Sequence, residues 1–465
     1  MMDENELQAW RAAAERHLDA QVARVTRYQE YYDGEEAIPV ILDTTERHAF
    51  RAFIREAGAN WCELVANAVA ERLQVVGFRF AGTGGEDAWA IWQANQMDAD
   101  AELVQSDALV CGSSFVLVQP DPDSPVGVEM TAESPREATV LYEPGSRRRR
   151  AAGYKRFGSE ALGRRTEVLM LPDVIATWHA GATGPPEVLP NPAGAVGMIE
   201  ITPQPRTHGW PRSELHSCIP IQDRINTVLF ARLVATDYSA FRQIWATGVK
   251  IARQTVTSAD GTEITRPVAP YDIGANRLLA NENPDARFGS FPESALRGYL
   301  DSVEQDVNQM AAITQTPPHY LLGQIANLSA DAIKAAEAGL VAKCRRRSLH
   351  VGEGWETAAR YALRLTGNPA AADLGAEVIW ADFETRSVAQ LADALSKLGA
   401  PPINIPQEVI WAKYGASPQE IDRWRTLRAA EQAEQLANAL GALGGPEGEY
   451  ARLLAAGGVT GQGGA

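Results

Sequence analysis

Positive charge is what this 465-residue sequence lacks most: 43 Lys and Arg stand against 59 Asp and Glu, a formal net charge of −16. Such a balance opposes nonspecific adhesion to phosphate backbones or anionic lipid, so a conventional duplex-gripping protein is disfavoured. Cysteine is scarce as well. Cys62, Cys111, Cys218 and Cys344 lie far apart, with no C-x-x-C pair and no His at ligand spacing. Neither a zinc module nor a disulfide scaffold is indicated, and a reducing compartment is the simplest reading. Long apolar runs are missing too. The most apolar stretch, Cys218 to Tyr238, contains Asp223, Arg224, Arg232 and Asp237, which breaks the run a membrane span requires. Asp3, Glu4 and Glu6 stand where a secretion signal needs basic residues followed by an apolar segment, so no export is expected.

The motifs of catalysis are also wanting. Gly82-Thr83-Gly84-Gly85 has no Gly-Lys-Ser/Thr after it to bring a cation and a metal-binding hydroxyl to a phosphate. Gly112-Ser113-Ser114 lacks the second glycine of a nucleophile elbow and reads as a tight turn. His17, His48, His179, His208, His216, His319 and His350 are scattered, with no H-E-x-x-H and no spacing of two His and a carboxylate on a helix. No catalytic, cofactor or metal site follows, and none is expected. An enzyme with an unrecognised site stays as an alternative.

What is present is a long succession of helices around a β-rich region. A hydrophobic content of 45% can build a large core, enough for about three domains or one subunit whose segments return to the same domain. Leu7, Trp10, Ala14, Leu18, Val22 and Val25 fall at helical steps and predict a helix over Glu6 to Tyr32, ended by Asp33-Gly34. A second helix is expected from Phe50 to Leu73 and a third from Trp89 to Val110. Val75 to Phe80 and Ser114 to Val118 read as strands, and Pro120 to Pro205 as mainly β with hairpins. The run Arg147 to Arg150 beside Pro144-Gly145 is open to a phosphate or partner contact, and is read in preference as a solvated hairpin tip.

Beyond it, Leu215, Ile219, Ile225, Leu229 and Leu233 predict a long helix from Ser213 to about Phe241. Two β-prone runs, Val249 to Thr257 and Thr262 to Arg266, flank the turn Ala259-Asp260-Gly261 and read as a hairpin. The insertion closes near Phe291-Pro292, and Leu296, Leu300, Val303, Val307 and Met310 predict another long helix. Thr316-Pro317-Pro318 must stop it, because proline cannot donate its amide. Ser329 is a cap for a rod that continues to about Leu365, interrupted by Gly339, Gly352 and Gly354, which mark bends or close backbone contacts. Asp382 to Leu440 is helical again. Gly441 to Ala465 has few large apolar anchors and is expected to stay flexible.

Three segments carry a resemblance. They are Gly209-Trp210-Pro211-Arg212-Ser213-Glu214-Leu215 with Ile221-Gln222-Asp223-Arg224-Ile225-Asn226 and the Arg242 to Gly248 stretch; Ile313 to Gly323; and Asn327-Leu328-Ser329-Ala330-Asp331-Ala332. Their order is similar to that in the portal proteins of tailed bacteriophages, the siphovirus-type family found in actinobacterial phages, whose members often carry Gly where Ala330 stands. The resemblance implies an α+β fold, elongated, with a mixed α/β wing over 1–212, stem helices over 213–241 and 292–314, and a small β-containing clip over 242–291. A tunnel loop over 315–328, a long kinked helix of wing and crown over 329–380, a helical crown over 381–440 and a flexible tail over 441–465 complete it.

The same resemblance implies a homo-oligomeric ring, a dodecamer, at one capsid vertex of the virion, assembled in the host cytoplasm. Double-stranded DNA would pass through its channel in packaging and ejection. The implied partners are the large terminase, major capsid and scaffolding proteins and a head-tail adaptor, with no membrane; another virion component such as an adaptor is the alternative. Gln315, Thr316, Pro317, Pro318, His319, Tyr320, Gln324 and Asn327 are the candidate tunnel-loop residues, against the reading of an ordinary connector between packed helices. Lys343, Arg345, Arg346 and Arg347 form a candidate basic contact to DNA, a neighbouring acidic subunit or solvent, the last two preferred. The acidic balance suits a conduit, since many phosphate contacts would hold DNA instead of letting it slide.

Overall fold

A computed structural model of the chain describes residues 3–35, 56–159, 164–179, 185–240, 244–248, 253–257, 263–267, 284–290, 296–323, 330–384, 388–401, 403–414, 416 and 418–442. The fold is α+β. Its helices are α1 (Glu4–Asp33), α2 (Cys62–Ala70), α3 (Gly84–Ala94), α4 (Met97–Cys111), α5 (Ile219–Ala240), α6 (Arg297–Thr314), α7 (Pro318–Leu322), α8 (Ala330–Leu365), α9 (Val388–Gly399), α10 (Gln407–Tyr414) and α11 (Pro418–Ala442). The strands are β1 (Val75–Arg79), β2 (Ser114–Pro120), β3 (Val128–Glu133), β4 (Ala138–Tyr142), β5 (Arg150–Ser159), β6 (Arg164–Met170), β7 (Val174–His179), β8 (Glu187–Pro190), β9 (Met198–Ile201), β10 (Ile244–Thr247), β11 (Arg253–Thr257), β12 (Glu263–Pro267), β13 (Arg287–Ser290) and β14 (Glu377–Trp380).

Two compact units divide the chain: Met1–Glu35, Asn60–Ile219 and Ala311–Ala465 in the first, Glu36–Ala59 and Pro220–Met310 in the second. In the first unit, a three-stranded sheet of order β3-β2-β9 and a five-stranded meander β4-β5-β6-β7-β8 pair antiparallel throughout. Phe115, Leu117, Val140, Met170 and Met198 bury against one another between these sheets. α1 covers the meander with the stripe its sequence spacing foretold, Leu7, Ala14 and Leu18 meeting Tyr154, Leu169 and Trp178. The largest core packs α3, α4 and α8 on β2 and β9, with Trp92 and Trp355 edge to face at 5.0 Å. Each of these rings, about 1% exposed or less, contributes roughly 4–6 kcal/mol of burial before entropy is counted.

In the second unit, α5 and α6 are tied by Arg224, whose guanidinium reaches Asp306 at 2.6 Å and Gln309 at 2.5 Å. Between these helices in sequence come two antiparallel pairs, β10 with β13 and β11 with β12. The β11 and β12 pair is the hairpin read from the two β-prone runs; its Ala259-Asp260-Gly261 turn lies outside the described residues.

Several boundaries differ from expectation. The helix read over Trp89 to Val110 is two, because Gln96 adopts a left-handed conformation (φ 55°) and redirects the chain. The helix read from Ser213 begins instead with a 3-10 turn, Glu214–Ser217, before α5. Of Phe50 to Leu73, the residues up to Arg55 lie outside the described set, Glu56 and Ala57 are helical, the chain breaks over Gly58 to Trp61, and Cys62–Ala70 forms α2. β14 was not foreseen and pairs with β1. Of the glycines in α8, Gly354 is the close contact: a Cβ there would stand 2.5 Å from Ile201 Cδ1. α8 itself runs unbroken for 36 residues.

Candidate functional site

Residues 314–323 join α6 to the described end of the candidate loop, and they are fastened at every step. Lys343 on α8 donates to the Thr314 carbonyl at 3.0 Å, satisfying an acceptor that α6 leaves open at its C-terminus. Gln315 turns left-handed (φ 56°), which ends the helix at Thr314, two residues short of the prolines. Its side chain accepts from Arg346 at 2.9 Å. Pro317 is extended (φ −58°, ψ 135°) and leads into the single-turn α7, closed by Gly323 at φ 66°.

Two more bonds hold this turn to the residues on either side of α2. Trp61 Nε1 donates to the Leu321 carbonyl at 3.0 Å, and Arg72 donates to the Tyr320 hydroxyl at 2.6 Å while lying over its ring. Burial opposes the charge of Arg72, yet the hydrogen bond and charge of Tyr320 prevail and hold its guanidinium above its usual range.

The residues at the start of the candidate tunnel loop are therefore largely packed within the chain. Thr316 and Pro317 are buried, His319 and Tyr320 half-buried, and only Gln315 and Pro318 are exposed. The cause is the packing of Tyr320 beside the cluster of α2, α4 and α8. Gln324 and Asn327 lie outside the described residues.

The four residues of the candidate basic contact all lie on α8. Lys343 is 2% exposed, and its ammonium sits 2.9 Å from Glu214. Arg347 pairs with the other oxygen of the same carboxylate. Glu214 is placed by the 3-10 turn, which Ser213 caps by accepting from Leu215 N at 3.0 Å, and Gln204 adds a donor at 2.6 Å. Burial works against the Glu214 charge, but Lys343 and Arg347 outweigh it and hold the carboxyl below the usual carboxylate range. Two of the four basic residues thus meet their counter-charge inside the chain. Arg345 pairs at the surface with Glu384 at 2.9 Å, and Arg346 is the one engaged with Gln315.

The result is a buried junction of three strongly tied segments: the turn ahead of α5, the end of α6 and the middle of α8. It surrounds the start of the candidate loop without offering a reactive group. Sequence inspection missed Glu214 as its centre, because nothing in local spacing links it to a lysine far along the chain; the signal available was its place in the Gly209 to Leu215 motif.

Elsewhere in the first unit, a cavity of about 600 Å³ is lined by Tyr32, Asn67, Glu71, Glu102 and Asp107, among others. Burial, then the charge of Asp33, raises the Asp107 carboxyl to about 6. All four cysteines are buried and none forms a disulfide, and burial pushes the Cys344 thiol up to about 11. Among the described residues no three His, Cys, Asp or Glu side chains converge as metal ligands, and no helix is long and apolar enough to cross a membrane.

Comparison with known proteins bears on the whole chain. The portal protein of Mycobacterium phage L5 is 29% identical over 434 residues, covering 89% of this chain and 86% of that protein. The portal protein of Mycobacterium phage D29 is 28% identical over 423 residues, covering 86% and 84%. Among solved structures, a chain in the virion of a native gene transfer agent particle is similar at a TM-score of 0.42 and 14% identity, over 82% of this chain and 95% of that one. The sequence model of the family described as phage portal protein, SPP1 Gp6-like, matches residues 12–434, and the chain belongs to that family.

Proposed function

We propose that copies of this chain close into a ring, a dodecamer as in the family, at one capsid vertex, and that duplex DNA passes through it during packaging and ejection. The observation that carries this reading is the family match from residue 12 to 434, spanning both long helices and the β module between them. In this reading α5 and α6 are the stem over 213–241 and 292–314, and β10 to β13 belong to a clip over 242–291 that meets the large terminase and the head-tail adaptor. Residues 1–212 form the wing, 329–380 the part of wing and crown that holds the long helix α8 (Ala330–Leu365) and β14, and 381–440 the crown, with capsid and scaffolding proteins as outer partners.

The chain acts as a conduit and not as a catalyst, the ATP-driven step belonging to the terminase. Residues 315–328 are the tunnel loop of this reading, and Thr316, Pro317 and Tyr320 stand packed at its start. A buried base has a physical use. A loop that swings on passing DNA needs a fixed hinge, and the ties to Trp61, Arg72, Lys343 and Arg346 supply one.

Negative-stain microscopy of the purified chain tests the proposal. Rings with a central opening are expected. Monomers or dimers alone, across a range of salt and protein concentration, would contradict it.

A further inference from the structure

One face of the first unit reverses the charge of the chain. Arg24 and Arg27 come from α1, Arg147 and Arg148 from the turn between β4 and β5, and Arg206 and Arg212 from the segment before the 3-10 turn. Arg147 donates to the Arg206 carbonyl at 3.2 Å, which joins the two loops. On the other side, burial and then the charges of Arg212, Arg206, Arg24 and Arg27 push the His216 imidazole below its usual range.

Four of the guanidiniums in this face, those of Arg24, Arg27, Arg147 and Arg212, are held by neutral groups. Arg24 donates to the Pro211 carbonyl at 3.3 Å and lies 4.9 Å over the Trp210 ring. Arg27 lies 5.7 Å over Tyr31, and Arg212 donates to the Ser217 hydroxyl at 2.6 Å. Among the described residues none of the six has a carboxylate partner, and the hairpin's Glu143 is taken by Arg149 at 3.0 Å. Six arginines without a carboxylate partner, four of them fixed, in a chain of net charge −16 attract a polyanion.

The face has no apolar centre, which a protein interface needs. Among the described residues, every exposed large apolar side chain lies outside residues 20–35, 143–149 and 204–217. Arginine forks beside aromatic rings match phosphate oxygens instead. We propose that this face holds duplex DNA, without sequence preference, by its phosphate backbone. The inference rests on the portal reading only in taking duplex DNA as the polyanion at hand, and it adds a place where DNA is held to a passage where it slides.

Fluorescence anisotropy of a short labelled duplex with the purified full chain, over a salt series, tests it. Six contacts give a slope of roughly −5 in log affinity against log salt. The R147E/R148E/R206E variant is expected to bind at least tenfold more weakly, with a slope shallower by roughly two to three. R147Q/R148Q/R206Q should fall between it and the parent, guarding against a folding defect in the reversal. R79E/K397E/R425E, which changes net charge equally at sites elsewhere, should stay within twofold of the parent.

Equal affinity and slope in R147E/R148E/R206E and the parent would overturn the proposal. So would equal losses in both charge-reversed variants, or lost self-association with DNA affinity kept, which would assign the face to a neighbouring copy. Rings are imaged in the same samples. Their absence from the parent protein contradicts the portal reading and leaves the anisotropy comparison standing.

Discussion

Glu214 is the residue on which the junction turns, since one carboxylate neutralises two buried cations. Glu214→Gln leaves Lys343 and Arg347 without their counter-charge, and a loss of about 3–5 kcal/mol in chemical denaturation is expected. Because the folded carboxyl titrates below its ordinary value, its contribution is complete above that ordinary value and is lost as pH falls through the folded one. Asp107 runs the other way. Its carboxyl, raised to about 6, takes up protons more readily folded than unfolded, so it lowers stability as pH rises through the range from its ordinary value to the raised one. Asp107→Asn is expected to gain about 1–3 kcal/mol at neutral pH, a gain that vanishes in acid where both states carry the proton. Thermal denaturation of both variants over a pH series checks the two signs together.

Among the elements, α8 carries the sharpest contrast. A Cβ at Gly354 meets Ile201 Cδ1 at 2.5 Å and the Glu200 carbonyl at 3.3 Å, whereas one at Gly352 finds only ordinary contacts, Trp380 Nε1 at 3.6 Å being the nearest. Gly354→Ala should cost about 1–3 kcal/mol through overpacking. Gly352→Ala should be neutral or stabilising by up to about 1 kcal/mol, as alanine suits a helix better; urea titration separates the two. The sequence already marked these glycines and the stripes of α1, α5, α6 and α8, because three- and four-residue periodicity is a local property. It did not reveal β14, a four-residue strand whose partner β1 lies some 300 positions earlier, nor the left-handed Gln96 that divides α3 from α4. The Glu214 junction was hidden for the same reason: Lys343 and Arg347 read as a surface charge run until long-range packing buries them.

At the scale of the molecule, an excess of 16 negative charges and a confined arginine face divide two tasks, repelling the duplex over most of the surface and holding it at one place. The order of the motifs from Gly209 to Ala332 was legible in sequence and led to the family. The half of the candidate loop that is packed was not, since burial of Thr316 and Pro317 depends on α2 and α8. The central claim is that many copies close around a passage with residues 315–328 on its inner side, and a cryo-electron microscopy map of the purified assembly is its most direct test. The account predicts a closed ring of twelve with this segment projecting from its fixed base into the opening; a dimer, an open filament, or a ring with the segment on its outer rim would contradict it.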